Sequence, residues 1–219
     1  VARIAYLASD VILSVQPALK TESEFSHHLS RFAANKAKNV VSKTAPEIIP
    51  VRQNADPLLS AYTALKSGKY VSATAPSSVL LNSVPHLYKL AQYPVVLHVA
   101  LGSPHPDFSE ISAVRQSGFI FLQSETLQEA QDIALTAHAL AIKSGKGVLH
   151  FYDPSNSLED TPIQIESRDL VQSILDNAIG SRASHSESAE DTLYAGNGRS
   201  ATVRDLGLPQ VLSEETPSG

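Results

Sequence analysis

The chain has 219 residues, 42% of them hydrophobic, 18% charged and 6% aromatic, and a formal charge of −5 from 17 Lys+Arg against 22 Asp+Glu. That composition describes a globular domain long enough to bury a core without staples, plus some tail. With no cysteine, the segment has no thiolate for an iron–sulfur cluster, a Cys-type zinc site, a thiol nucleophile or a redox dithiol. The acidic balance and the want of a basic stripe argue against nucleic acid as a partner. No apolar run approaches the ~20 residues needed to cross a bilayer. No charged-then-apolar leader precedes Val1, so a cytoplasmic home away from membranes is the default expectation. The chain contains no Met, which leaves two expectations, a trimmed initiator or a piece of something longer.

Residues 1–14 (VARIAYLASDVILS) place Ile4, Leu7, Val11 and Ile12 near helical spacing and predict a first helix closed by Pro17. Residues 23–38 (SEFSHHLSRFAANKAK) predict an amphipathic helix with Ser23 as N-cap and Phe25, Leu29 and Phe32 on one stripe. EIIPVR at 47–52 is short and apolar, and Pro50 confines it to an edge strand. Asp56-Pro57 then opens a helix that Lys66 and Gly68 close.

Beyond this the pattern alternates. Strands are predicted at 70–74, 94–101, 118–122 and 147–152, and helices at 77–90, 107–116 and 124–145, the last opened by Ser124 and ended by Gly145. Strands that are apolar throughout and separated by helices are buried on both faces. The expected fold class is therefore α/β, an open, mostly parallel sheet with helices on both sides. Past about residue 179 the composition turns Ser-, Gly- and charge-rich, so the chain divides into a domain at 1–179 and a flexible linker or tail at 180–219.

Chemistry-bearing motifs are sparse. GxxxxGK[ST] is absent, no GxGxxG follows a strand, and the eight histidines include no HExxH-type pair, so no metal site is expected. His98 and His150 lie inside apolar strands that a parallel sheet could bring together, and a buried, hydrogen-bonded core pair is favoured over a catalytic one. The loops leaving the strands supply Thr74, Ser77, Ser78, His105, Asp107, Asp153 and Asn156, enough for a polar pocket at the carboxyl edge. Ser77 and Ser78 also suit helix N-caps, and Asp153-Pro154 is an ordinary turn former. No nucleophile, base and orienting group can be assembled from them.

HLYKLAQYPVVLHVALGS, followed by AVRQSGFIFLQSETLQEAQDIALTAHALAIKSGKGVLHFYD, resembles the N-terminal, pyrimidine-side domain of the 2-oxoacid:ferredoxin oxidoreductases. The resemblance runs over roughly 100 consecutive residues in order and implies a thiamine-diphosphate-binding-like fold. It also implies that catalytic positions are replaced. Asn54 stands where active members hold a glutamate that protonates the thiamine pyrimidine, and a neutral amide cannot relay that proton. Gly102 stands where an arginine binds the oxoacid carboxylate, and VQPA at 15–18 lacks the family's substrate-contacting threonine.

QNADPLLSAYTALKSGKYVSATAPSSVLLNSVPHLYKLAQYPVVLHVAL is similar to the N-terminal region of fungal assimilatory NADPH sulfite reductase subunits, the beta, hemoprotein-bearing subunit ahead of the alpha. That resemblance implies a non-catalytic scaffold or docking domain of a hetero-oligomeric enzyme that reduces sulfite to sulfide in sulfur assimilation, toward cysteine and methionine. No cofactor is expected in this segment. Sirohaem, an iron–sulfur cluster, FMN or FAD and NADPH would belong to the remainder of the complex, and the partners would be its other domains and second subunit. Thr74, Ser77, Ser78, His105, Asp153 and Asn156 would line a vestigial cleft. Two alternatives stay open: a half-site of a thiamine diphosphate enzyme, and a stand-alone small-ligand-binding domain.

Overall fold

The computed structural model describes residues 1–16, 24–52, 57–102, 107–154 and 162–194, with backbone alone at 16, 24, 57 and 183–194. The elements alternate along the chain as α1 (Ala2–Ala8), β1 (Val11–Gln16), α2 (Glu24–Ala34), β2 (Glu47–Arg52), α3 (Pro57–Lys66) and β3 (Val71–Pro76). Then follow α4 (Val84–Leu90), β4 (Val95–Ala100), α5 (Ser109–Ala113), β5 (Ile120–Ser124), α6 (Leu127–Ser144), β6 (Val148–Tyr152) and α7 (Arg168–Tyr194). The strands form one six-stranded sheet in the order β2-β1-β3-β4-β6-β5. Every neighbouring pair is parallel. This is the open parallel α/β architecture the sequence predicts.

Strand order and handedness assign the helices to faces. The chain steps one way across the sheet from β1 to β2 and from β5 to β6, and the other way from β2 through β3 and β4 to β5. Right-handed crossovers then put α2 and α6 on one face and α3, α4 and α5 on the other. Packing agrees with that rule. Leu13, Leu97 and Leu149 share a cluster with Leu58 and Ala61 of α3, Leu87 of α4 and Ile111 of α5. On the opposite face Ile12 packs with Leu29 of α2, and Val96 and Val148 pack with Ala137 and Ala141 of α6. Outside that layer, α1, α6 and α7 share Leu7, Leu135 and Leu175. Burying a leucine of this kind stabilises by ~2 kcal/mol.

Several local expectations change. The predicted first helix is two elements: α1 ends at Ser9, which is extended (φ −124°, ψ 152°), and Val11 starts a strand. Ile4 through Ala8 are all buried, so an apolar run covered on every side offers no stripe by which to separate helix from strand. Residues 77–83 are 3-10 turns that precede α4 instead of helix, with Pro at the first turn of α4. Thr126, not Ser124, caps α6, in a reciprocal capping box with Glu129. Gly145 closes that helix with φ 67°, as its position predicts. β2 does lie at an edge, and Pro50, opposite Ser14, is tolerated because only one side of the strand is paired. Ser23 and Asp56, the expected caps of α2 and α3, lie outside the described residues.

The chain divides into a unit Val1–Gly180 and a unit Ser181–Gly219. The composition shift predicts a linker from residue 180, yet helical backbone continues to Tyr194. SRASHSESAEDTLY contains neither Gly nor Pro, and its Ala, Glu, Ser and Arg are compatible with helix. Residues 195–219 lie outside the described residues. No described helix is long and apolar enough to cross a membrane.

Candidate functional site

Parallel register sets a polar row into the sheet. Ser14 is level with Thr74, Thr74 with His98, and His98 with His150, so all four side chains leave the same face, the one covered by α2 and α6. His138, in the buried stripe of α6, meets this row from above. His98 Nδ1 lies 3.1 Å from His150 Nδ1, and His98 Nε2 lies 3.2 Å from His138 Nε2. His150 Nε2 in turn lies 2.9 Å from Ser124 Oγ at the end of β5. The expectation of a buried histidine pair holds for His98 and His150, and the structure adds His138 and Ser124 to it.

Each neutral imidazole carries one N–H and one bare nitrogen. With both nitrogens of His98 in use, the row has a direction. Either His138 donates to His98, His98 to His150 and His150 to Ser124, or every bond runs the other way. His98 and His150 are fully buried and His138 is 3% exposed. Burial, with neighbouring positive charge, pushes His138 down to about 3 and His150 to about 4, and holds His98 well below the usual histidine range. All three are neutral near pH 7.

Ser124, His150 and His98 line up as nucleophile, base and orienter would. Ser124 is only 3% exposed, however, which keeps it from a substrate, and a histidine held near 4 is a weak base at neutral pH. Nor do the rings converge. His98 spends a different nitrogen on each neighbour, and no group of three or more His, Cys, Asp or Glu among the described residues could hold a metal ion. The row therefore joins α6 to the central strands. Ser14–Ser26 at 2.7 Å does the same for α2, and Ser9–Ser72 at 2.9 Å for the end of α1.

Ligands of open α/β sheets sit outside the carboxyl ends of the strands, where the strand order reverses; here that point lies between β1 and β3. Thr74 and Ser77 are buried at the end of β3, and Ser78 beside them is exposed. Ser77 does not cap a helix, since Pro76 precedes the 3-10 turn it opens. Asp153 follows β6 and is half-buried, with β4 standing between it and the serines. Gly102 is exposed just after β4. Asn54, His105 and Asn156 lie outside the described residues, as do positions 17 and 18 of the VQPA turn.

Two carboxylates at this edge are committed to capping contacts within their own turns. Asp107 accepts from Ser109 N and Ser109 Oγ at 2.8 Å each, which holds its carboxyl below the usual range. Glu129 accepts from Glu125 N at 2.9 Å and Thr126 N at 3.3 Å. A thiamine pyrimidine requires an acid against its ring, and neither of these is free to supply one.

Comparison with known proteins follows the fold. The family described as "Pyruvate flavodoxin/ferredoxin oxidoreductase, thiamine diP-bdg" matches residues 20–204. The chain is 31% identical over 225 residues to the sulfite reductase [NADPH] subunit beta of Schizosaccharomyces pombe, covering 93% of this chain and 15% of that protein. It is 34% identical over 162 residues to a probable pyruvate-flavodoxin oxidoreductase of Escherichia coli, covering 70% of this chain and 14% of that protein. With the pyruvate:ferredoxin oxidoreductase of Moorella thermoacetica the identity is 30% over 161 residues, covering 69% of this chain and 14% of that protein. The chain thus spans about a seventh of the length of these relatives.

Proposed function

The chain belongs to the pyruvate flavodoxin/ferredoxin oxidoreductase thiamine-diphosphate-binding family, and from that premise we propose that it is a non-catalytic α/β scaffold domain of an NADPH-dependent sulfite reductase. Within that enzyme the beta, hemoprotein-bearing subunit fits better than the alpha. The observation that carries this reading is Gly102. By the resemblance it would stand where the family's carboxylate-binding arginine does; it is exposed, and a Cβ built on it meets nothing within 4 Å. Space remains there for a side chain, so packing did not require the glycine. A clamp lost without a steric reason supports a scaffold kept for its shape, and Asn54 in place of the pyrimidine-contacting glutamate points the same way.

On this reading sirohaem, the iron–sulfur cluster, FMN or FAD and NADPH act in the rest of the assembly, and this domain holds redox domains or subunits at high effective concentration. The test uses the full-length protein. Asn54→Ala is expected to leave NADPH-dependent sulfite reduction unchanged, and thiamine diphosphate with magnesium to give no binding heat in calorimetry. Removing residues 1–180 is expected to break up the assembly. Tight thiamine diphosphate binding, or a collapse of turnover in Asn54→Ala with the fold intact, would overturn the proposal in favour of a thiamine half-site.

A further inference from the structure

The sequence contains no basic run, yet the fold builds one. Helices of a parallel α/β sheet run back against the strands, so each helix C-terminus, and the turn after it, lies at the amino edge of the sheet. The lysines collect there. Lys36, Lys38 and Lys43 lie in the turn before β2, and Lys66 and Lys69 at the end of α3 and before β3. Lys89 is in the last turn of α4, and Lys143 and Lys146 flank Gly145 before β6. Apart from Lys20, which lies outside the described residues, every lysine of the chain is at this edge, and all of these are exposed.

Helix dipoles explain part of the pattern, since a cation in the last turn is favoured. Lys66, Lys89 and Lys143 serve there, but Lys36, Lys38, Lys43, Lys69 and Lys146 stand beyond their helices. Backbone hydrogen bonds lace the turns into one surface: Glu47 N to Asp10 O, Asp10 N to Tyr70 O, and Gly147 N to Ala91 O. Six strands at ~4.8 Å spacing make an edge about 24 Å wide, on which neighbouring lysines fall within roughly a Debye length of one another at physiological salt.

Acids offset little of this charge. Asp10 and Glu47 are the acidic side chains at the strand starts and in the turns before them. Asp10 accepts from Asn39 Nδ2 and Tyr70 N at 2.9 Å each, and Glu47 pairs with Lys69 at 3.4 Å. The opposite edge carries Asp107, Glu125 and Asp153. Among the described residues the lysines thus gather at one edge of the sheet, and these three acids lie at the other.

We propose that the amino edge of the sheet docks an acidic face of another protein domain. This inference rests on the scaffold role above and names the surface that role uses. Two copies meeting edge to edge would set lysine against lysine. A copy meeting head to tail would leave its own basic edge open for the next, which makes a filament and not a closed assembly. A long nucleic acid would run past a patch of this width onto an acidic surface. A compact acidic face is the occupant that complements the patch, and its contacts give salt-dependent association.

The experiment is lysine acetylation footprinting, with zero-length carboxylate crosslinking, of the full-length protein in its native assembly. The expected result is protection of Lys69, Lys89 and Lys146 that disappears near ~1 M salt, where the Debye length falls to ~3 Å. Crosslinks are expected from these lysines to carboxylates outside residues 1–219. Replacing Lys66, Lys89, Lys143 and Lys146 together by Gln, with circular dichroism confirming the fold, should weaken the assembly about tenfold. Full reactivity of the edge lysines in the assembly, crosslinks confined to residues 1–219, or protection removed by nuclease would overturn the proposal. If removal of residues 1–180 breaks up the assembly while the Gln variant does not, the scaffold role stands and the edge is wrong. If removal changes nothing, both fail.

Discussion

The face of the sheet under α3, α4 and α5 meets its helices through apolar side chains such as Leu13, Leu97 and Leu87, whereas the face under α2 and α6 ties each helix to a strand by a buried polar contact. Apolar packing is strong and non-directional, and it tolerates rotation and sliding at modest cost. A buried polar contact adds little net stability, but it penalises every arrangement that leaves it unmade. The comparison teaches that one sheet can take its stability from one face and its geometric specification from the other.

The largest break should come on the apolar side. Leu97→Ala is expected to cost ~3 kcal/mol through lost transfer energy and a residual cavity, equally at pH 7 and pH 5, as read by urea unfolding. His98→Leu on the other face strands one nitrogen of His138 and one of His150, for a cost of ~2 kcal/mol at pH 7.

The pH dependence sharpens the contrast. An unfolded histidine titrates near 6.5, but folded His138 titrates near 3 and His150 near 4. Between those values the unfolded chain holds protons that the folded one does not. Each histidine therefore removes up to ~1.4 kcal/mol of stability per pH unit as pH falls below about 6.5. The wild type should lose stability steeply from pH 6.5 toward 4, and His138→Leu should flatten that slope; an unchanged slope would show that the row does not control acid sensitivity.

Smaller effects follow. Ser14→Ala should cost ~1 kcal/mol by removing the buried hydrogen bond between Ser14 and Ser26, and a double-mutant cycle with Ser26→Ala in urea would measure the coupling. Thr126→Ala removes the capping box of α6 for ~1 kcal/mol. Lys69→Gln, which breaks the exposed contact to Glu47, should change stability by less than ~0.5 kcal/mol.

Much of the chain was legible one element at a time. Lys66-Ser67-Gly68 and Lys143-Ser144-Gly145 end helices as such signals should, and the continuous apolar run of β4 marked a strand buried on both faces. β1 was not legible, because Val11 and Ile12 continued a helical spacing begun in a fully buried α1. His138 left a signal: it falls in the stripe of Ala134, Leu135, Ala141 and Ile142 that α6 buries, so a histidine there needed a buried partner. His98 and His150 could be suspected together only because both strands were apolar. The lysine edge also left a trace, one lysine after another at the end of a helix, but net charge and sequence spacing average it away.

The sequence by itself determined the α/β class, most helix ends and the edge position of Pro50, because each depends on periodicity, capping chemistry or a single residue's identity. Only the tertiary structure decided which residues share a row and which share an edge. β6 inserts between β4 and β5, so the strand that follows β4 in the chain is not the one that brings His150 beside His98. Register, a one-residue matter that flips a side chain from one face to the other, aligned Ser14, Thr74, His98 and His150, and helix direction brought the lysines to one end of the sheet.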